Sequence, residues 1–327
     1  MPHLLAILAA ALPTALYTLL IWWLDRYEKE PLPLLAAAFC WGMLPAIGLA
    51  LVSDNLLGLP PVASPLGPSL GSGMLAPLIE EPIKAIALLA LFHYARDEFD
   101  GPLDGIVYGA LVGFGFSMSE NLLFFLAYPE DLPALFWLRS VAFGLNHAFF
   151  TSIVGLALGA VRYHRGPVPV LLATPCALSA AITFHALHNV AADYRLPGLA
   201  LSWIIQSLGV LVVFAVAVLS WRHEARLIDE ELGEEIRLGV IGTADQCVVA
   251  SARARARCEL NALLQSGLPR YRQISRLHHL ITELAFCKHL ISMGDPHANC
   301  ALRDTLRQQI ITLRADIADE EDAPLMA

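Results

Sequence analysis

The sequence contains few charged residues for its length. Only 16% of its 327 residues are Asp, Glu, Lys or Arg, whereas 57% are hydrophobic. A soluble chain of this size does not need so large an apolar fraction, so the composition favours an integral membrane protein over a soluble one. The net charge of −9 argues against a nucleic-acid partner, because such a partner attracts basic surfaces.

Closely spaced cysteine pairs are also missing. The six cysteines include no CxxC pair; Cys40 and Cys176 lie in apolar segments, and the other four follow residue 222. This scatter predicts neither a disulfide framework nor a zinc knuckle. The C-terminal cysteines therefore suggest no site of their own.

Long apolar runs are abundant. A spanning helix needs roughly 20 apolar residues, and the qualifying runs are residues 4–23, 33–53, 72–93, 104–127, 134–161, 168–191 and 199–221. No Lys or Arg precedes the first run, and it continues to Trp23, so we expect a retained transmembrane helix and not a signal peptide. The predicted fold class is an all-α polytopic membrane protein with about seven transmembrane helices.

The composition changes after residue 221. The stretch "ISRLHHLITELAFCKHLI" shows apolar residues at helical spacing within an otherwise polar region. We predict a membrane-embedded domain at residues 1–221 and a small, soluble, helical C-terminal region at residues 222–327. These C-terminal helices are also where we would expect a homo-oligomer to form.

Basic residues in the loops predict the orientation of the chain. Successive spans cross the membrane in opposite directions, so every second loop lies on the same side. Most of the basic residues fall in loops of one side: Arg26, Lys29, Arg96, Arg162, Arg165, Arg222 and Arg226. The opposite ends offer only Arg139 and Arg195. We therefore predict a multi-pass cell-membrane protein whose N-terminus is outside and whose C-terminal region is cytoplasmic.

Four groups of polar residues lie inside the apolar runs, where ionisable side chains are costly. They are Glu80, Glu81 and Lys84; Glu120 and Asn121, with Phe116 on the same helix face as Glu120; His147 and Thr151; and His185, His188 and Asn189. Each group alone is compatible with a structural role, such as a clamp between helices. For His93 and His188 the structural role is the favoured interpretation.

The predicted depths of these groups in the membrane coincide. With a helical rise of about 1.5 Å per residue, Glu80, Glu81, Glu120 and His185 lie roughly 9–13 Å below the outer interface, and His147 about 8 Å deeper. Polar groups that only stabilise the fold would not be expected to lie at one common depth in the membrane. We expect one polar cavity open to the outer half of the bilayer, with the Pro- and Gly-rich loop 54–72 beside its entrance as a gate.

Two carboxylates, two imidazoles and an amide in one dry cavity suit the hydrolysis of an amide bond. A glutamate can take the proton of a water, and neutral imidazoles can hold a divalent metal or steady the tetrahedral intermediate. The Asn189 amide can donate to the oxyanion. A set of two histidines and one glutamate is also a recurring catalytic zinc site.

Other intramembrane protease chemistries lack their motifs here. The sequence has no HExxH, the "FSMSE" stretch lacks the glycine frame of a serine nucleophile, and the spans carry no Asp away from their ends. An ion- or proton-coupled transporter and a catalytically inactive scaffold remain alternatives. The absence of a visible inverted repeat disfavours the transporter, and the complete set of candidate catalytic residues disfavours the scaffold.

Five motifs resemble, in order and spacing, the PrsW family of intramembrane metalloproteases. They are "DRYEKEP", "EEPIK", "DGIVYGALVGFGFSMSEN", "NHAFFTSIVGLALG" and "HALHN", and the resemblance covers residues 13–221. The family is similar in turn to the type II CAAX prenyl proteases. Because Glu120 stands where those proteases have a histidine, the resemblance does not imply prenylated substrates.

The resemblance implies roles for individual residues. Glu80 and Glu81 form the glutamate pair, with Lys84 beside them, and Asn189 completes the catalytic set. Glu120, His147 and His185 are the implied metal ligands, with zinc as the expected ion and metal-free glutamate catalysis as its rival. The family also implies site-1 cleavage of a single-pass membrane protein, such as an anti-sigma factor, near the extracytoplasmic side.

Overall fold

The computed structural model describes residues 2–24, 27, 29–58, 70–96, 98–164, 166–293 and 300–322. All regular secondary structure within these ranges is helical, which confirms the predicted all-α class. Most of the predicted gating loop, residues 59–69, lies outside the described residues. Two compact units form: a membrane unit (Met1–Asp25 and Glu30–Val218) and a C-terminal unit (Arg26–Lys29 and Leu219–Ala327). The predicted domain boundary after residue 221 falls near Leu219, although the domain assignment itself stays a prediction.

The α-helices are numbered here in the order in which they follow one another along the chain. They are α1 (Pro2–Leu24), α2 (Leu32–Trp41), α3 (Ile47–Leu56), α4 (Leu70–Tyr94), α5 (Pro102–Ala127), α6 (Leu132–Leu135), α7 (Asn146–Ala160), α8 (Val168–Asp193), α9 (Arg195–Glu231), α10 (Gly233–Arg237), α11 (Thr243–Val249), α12 (Ala252–Ser292) and α13 (Cys300–Asp322). Two π-helical segments, Gly42–Ala46 and Phe136–Ala142, interrupt the pattern.

Within the described ranges, six helical stretches are long and apolar enough to cross a membrane. They are His3–Trp23, Leu32–Leu56, Pro102–Ala127, Pro129–Ala160, Val168–Asp193 and Arg195–Arg237. The protein is thus a multi-pass membrane protein. The remaining predicted span, residues 72–93, lies within α4, which has the length of a span but contains Glu80, Glu81 and Lys84.

Residues 134–161 do not form the continuous helix that the predicted depths assumed. A π-helical segment covers Phe136–Ala142, and α7 begins only at Asn146. The rise per residue cannot be summed across such a break. The expected offset of His147 by about 8 Å therefore stays a prediction, and the His147 ring itself contacts Glu120 and Lys84 directly.

Helix α5 lies against α7 because glycines on one face of α5 let the two backbones touch. A Cβ atom added to Gly105 would lie 2.0 Å from the carbonyl oxygen of Gly155, and one added to Gly113 would lie 2.3 Å from that of His147. Such small-residue interfaces pack membrane helices closely. The contact at Gly113 places His147, at the start of α7, beside α5.

The C-terminal unit has its own hydrophobic core. Ile228, Leu232, Ile281 and Leu284 are fully buried there. Tyr27, which precedes α2 in the sequence, is buried in the same core, and its hydroxyl donates to the carbonyl oxygen of Ala250 at 3.1 Å. The apolar spacing recognised in the sequence thus does form a packed helical region.

Candidate active site

Helix α4 holds three ionisable side chains in the protein interior. The Nζ atom of Lys84 donates to Oε1 of Glu81 at 2.7 Å and lies 3.4 Å from Oε2 of Glu80. It also lies 3.9 Å from the centre of the Phe116 ring. The three charges lie one turn apart on one helix, so they neutralise one another in part, which a buried charge requires.

The contacts of His147 determine which of its ring nitrogens carries the proton. Nδ1 lies 3.1 Å from Nζ of Lys84, and Nε2 lies 2.8 Å from Oε2 of Glu120. An ammonium group only donates hydrogen bonds, so Nδ1 must accept. The neutral ring then carries its proton on Nε2, which donates to Glu120, and the Nδ1 lone pair faces Lys84.

His185 is held in the complementary way. Its Nδ1 atom lies 2.7 Å from Oε1 of Glu81, and its Nε2 atom lies 3.9 Å from Oε2 of Glu80. Because an ionised carboxylate only accepts, Nδ1 donates to Glu81 and Nε2 keeps its lone pair. The ring stacks on Phe150, with centroids 5.0 Å apart. Each imidazole therefore has one nitrogen donating to a carboxylate and a lone pair on the other, which faces Lys84 in His147 and lies 3.9 Å from Glu80 in His185.

Four residues come close enough to share one ion. Ligand atoms of Glu80, Glu81, His147 and His185 all lie within 4.8 Å of one another, and all four side chains are buried. Oε2 of Glu81 is buried without a hydrogen-bond partner among the described residues. Two imidazoles and two carboxylates, one of which keeps this unpartnered oxygen, fit a divalent cation such as Zn²⁺.

Glu120 contacts the cluster only from the far side of His147. The same oxygen that accepts from Nε2 of His147 also pairs with Nη2 of Arg139 at 2.7 Å. Sequence reasoning counted Arg139 only as a loop charge. Its position inside the apolar run 134–161 was the signal that could have found it, because a charge there needs a buried partner.

Asn189 is the predicted site residue that the structure does not connect to the others. It lies one turn after His185 on α8, is partly buried, and its side chain makes no hydrogen bond within the described part of the chain. Its neighbour His188 bonds through Nδ1 to Oγ of Ser202 at 3.0 Å. His93 is exposed near the end of α4. These placements agree with the structural role favoured for His93 and His188.

Burial within the cluster is graded. The side chains of Lys84 and Glu81 are 0% and 1% exposed, whereas those of Glu120 and Arg139 are each 22% exposed. The cluster therefore opens at Glu120 and Arg139 and is closed at Lys84.

Comparison with known proteins identifies relatives of the membrane unit. The model of the PrsW family intramembrane metalloproteases matches residues 30–220. The Protease PrsW of Geobacillus kaustophilus (strain HTA426) is 35% identical over 139 residues, which is 42% of this chain and 59% of the relative. The Protease PrsW of Bacillus subtilis (strain 168) is 28% identical over 164 residues, 48% of this chain and 70% of the relative. No solved structure matches the chain.

Proposed function

The chain belongs to the PrsW family of intramembrane metalloproteases, and from this premise we propose that it hydrolyses a peptide bond of a single-pass membrane protein. The match spans 59% of the length of the Geobacillus relative, and the family model ends at residue 220. The observation that carries the proposal is the unpartnered Oε2 atom of Glu81 within a buried cluster of acidic and imidazole groups.

Glu81 is the proposed general base. Its Oε1 atom is held by Lys84 and His185, both at 2.7 Å, which fixes the orientation of the carboxylate. Its Oε2 atom, unpartnered among the described groups, is left to accept the proton of an attacking water. Glu80 is the second choice for this role, because it lies in the same cluster but is held by longer contacts, 3.4 Å to Lys84 and 3.9 Å to His185.

The proposed ligands of a metal ion are Nδ1 of His147, Nε2 of His185 and the carboxylate of Glu80. A zinc ion held there would polarise the scissile carbonyl and increase the acidity of water. The sequence predicts Glu120 as the carboxylate ligand. The geometry favours Glu80, because Glu120 lies on the opposite ring nitrogen of His147. Glu120 as a ligand stays an untested prediction.

The position of Lys84 supports the alternative mechanism, in which no metal ion takes part. Its ammonium group contacts Glu80, Glu81 and His147, which include two of the proposed ligands. A metal ion at these atoms would compete with that ammonium group for the same lone pairs. In the metal-free version Lys84 orients Glu81, and His185 and Asn189 act on the water and the oxyanion.

The proposed cut lies at the extracytoplasmic edge of the substrate span or just outside it. In the predicted orientation the glutamate pair, Glu120 and His185 lie in the outer half of the membrane. A substrate helix must unwind before its carbonyls can be attacked, and unwinding is easiest where freed backbone groups meet water. A membrane-anchored regulator such as an anti-sigma factor has this architecture and would lose its outer domain.

A single-pass reporter incubated with the purified protein tests the function. We expect two fragments, and mass spectrometry of them gives the position of the cut. Removal of metal by a chelator should stop cleavage and zinc should restore it, and elemental analysis should find about one ion per chain. Full activity in metal-free protein would exclude the zinc mechanism but would not contradict the proposed protease function. A reporter that stays whole would contradict the proposed function.

Thiol labelling from each side of the membrane tests the orientation. Cys300 is exposed and Cys258 is partly exposed within the C-terminal unit. We expect reagents to reach them only from the cytoplasmic side, where thiols stay reduced. Labelling from outside alone would overturn the predicted topology and the predicted position of the cut. Self-association through the C-terminal helices is a further proposal, which the mass of the detergent-solubilised protein would test.

A further inference from the structure

Arg139 lies at the open edge of the cluster and belongs to none of the five motifs. Its Nη2 atom lies 2.7 Å from Oε2 of Glu120, and that same oxygen lies 2.8 Å from Nε2 of His147. The guanidinium group is thus connected to the reactive centre through a single carboxylate oxygen. This connection has the form of a carboxylate–histidine pair, in which one ring nitrogen is held so that the other can bind a ligand.

Two neighbours on opposite sides of His147 require the same protonation of its ring. On one side, Arg139 carries a permanent charge and keeps Glu120 as an ionised acceptor, which calls for a proton on Nε2. On the other side, Lys84 can only donate, which calls for a lone pair on Nδ1. Both constraints leave the lone pair on Nδ1, where it faces Lys84, the residue that also contacts Glu80 and Glu81.

Arg139 is itself held firmly. Its Nε atom donates to Oδ1 of Asn121 at 2.9 Å, and the guanidinium carbon lies 3.7 Å from the centre of the Phe124 ring. The residue lies in the π-helical segment Phe136–Ala142, a type of helix that often occurs at functional sites. A lysine could not make the Nε bond and the ring contact together, because it lacks the planar fork of donors.

We propose that Arg139 and Glu120 are positioning residues, which hold His147 with its proton on Nε2 and its Nδ1 lone pair directed into the cluster. The role in catalysis rests on the proposed function. In this arrangement Glu120 orients a ligand and does not bind the metal itself. Loss of such a partner typically weakens metal binding or activity by about 10- to 100-fold.

Cleavage kinetics of the full-length protein test the role in catalysis. We expect Arg139→Ala to lower kcat about 10- to 100-fold, with KM changed little, and methylguanidinium to restore part of the loss. The kcat of Arg139→Lys should lie between those of the wild type and Arg139→Ala. This variant replaces Arg139→Ala in the test if the alanine variant does not fold. The matched control is Arg162→Ala, which removes an arginine that lies 4.7 Å over Phe92 and bonds to backbone carbonyls. Its kcat should stay near wild type and be unaffected by methylguanidinium.

Metal titration separates positioning from ligation. With zinc alone as the probe, Glu120→Ala should keep the stoichiometry of one ion and lose about 10- to 100-fold in affinity. Loss of stoichiometric binding in this variant would identify Glu120 as a ligand and overturn the proposal. Retention of wild-type kcat by Arg139→Ala would overturn it as well.

The tautomer of His147 can be measured in the absence of any substrate. In ¹⁵N-histidine-labelled, metal-free protein in lipid, solid-state NMR should show His147 neutral with its proton on Nε2, assigned by the signal that His147→Asn removes. A proton on Nδ1 would overturn the proposal even if the protein cleaves the reporter. A proton on Nε2 in a protein that cleaves nothing would support the positioning geometry and contradict only the proposed function.

Discussion

Each of the two units places a pair of adjacent glutamates against a buried lysine, and the two clusters differ in how completely their oxygens are bonded. In the C-terminal unit, Oε1 of Glu235 accepts from Lys288 and Arg307, and Oε2 accepts from Arg307 at 2.9 Å. Lys288 also pairs with Glu234. In the membrane unit, Lys84 faces Glu80 and Glu81, and one oxygen of Glu81 has no partner within the described chain.

The difference separates a structural ion-pair cluster from a reactive one. Glu234 and Glu235 meet two permanent cations, so the C-terminal cluster is neutral and every Glu235 oxygen is bonded. Glu80 and Glu81 meet one cation among the described residues, with the imidazoles of His147 and His185 nearby. The membrane cluster thus holds more carboxyl groups than cations and keeps an unpartnered oxygen, which a cation or a proton can occupy.

The largest expected effect is the loss of catalysis on removal of the proposed base. Glu81→Gln should lower kcat by about 10²- to 10⁴-fold, because the amide cannot take a proton from water. The matched control, Glu235→Gln, should leave the rate per folded molecule unchanged. The measurement is reporter cleavage normalised to folded protein. Full activity in both Glu81→Gln and Glu80→Gln would refute the assignment.

The second effect concerns stability and should appear only in the C-terminal unit. Glu235→Gln removes the buried carboxylate shared by Lys288 and Arg307 and leaves them only exposed acidic partners such as Glu234. Breaking a buried pair from one side costs about 3–5 kcal/mol, and we expect a loss toward the lower end of that range. Hydrogen exchange of α12 and α13 measures the free energy of local unfolding. A change below about 0.5 kcal/mol would show that the cluster does not stabilise this unit.

The third effect is a change in zinc affinity, which should appear on substitution of Lys84 and not on substitution of Lys288. Lys84→Met removes the ammonium group that contacts Glu80, Glu81 and His147, so zinc should bind at least about tenfold more tightly, a gain of about 1.4 kcal/mol. Lys288→Met should leave zinc affinity unchanged. Titration with zinc at fixed pH measures both. Unchanged or weaker binding to Lys84→Met would argue against competition at these atoms.

The smallest effect is the pH dependence of the C-terminal unit. Burial raises the pKa of Glu235, but hydrogen bonds from Arg307 and Lys288 outweigh burial and hold that pKa below its usual range. The unfolded pKa is about 4.3, so the contribution is complete at neutral pH and is lost as pH falls below that value. The loss is at most about 1.4 kcal/mol per pH unit. Hydrogen exchange should show a shallower acid dependence in Glu235→Gln than in the wild type.

Much of the membrane unit could be predicted from local sequence. The apolar runs predicted six observed stretches, and the polar residues inside them included Glu80, Glu81, His147 and His185, which the structure brings together. The break before α7 could not be predicted, because its sequence is as apolar as a continuous span. Arg139 was missed because its partner Glu120 lies on a different helix.

The sequence by itself determined that this is a multi-pass helical membrane protein with charged residues inside its spans. Hydrophobicity and the cost of a buried charge are properties of a residue and its near neighbours, so they can be read along the chain. Only the tertiary structure decided which nitrogen of His147 and of His185 keeps its lone pair. Those assignments depend on Lys84, Glu81 and Glu120, which reach the two rings from other helices.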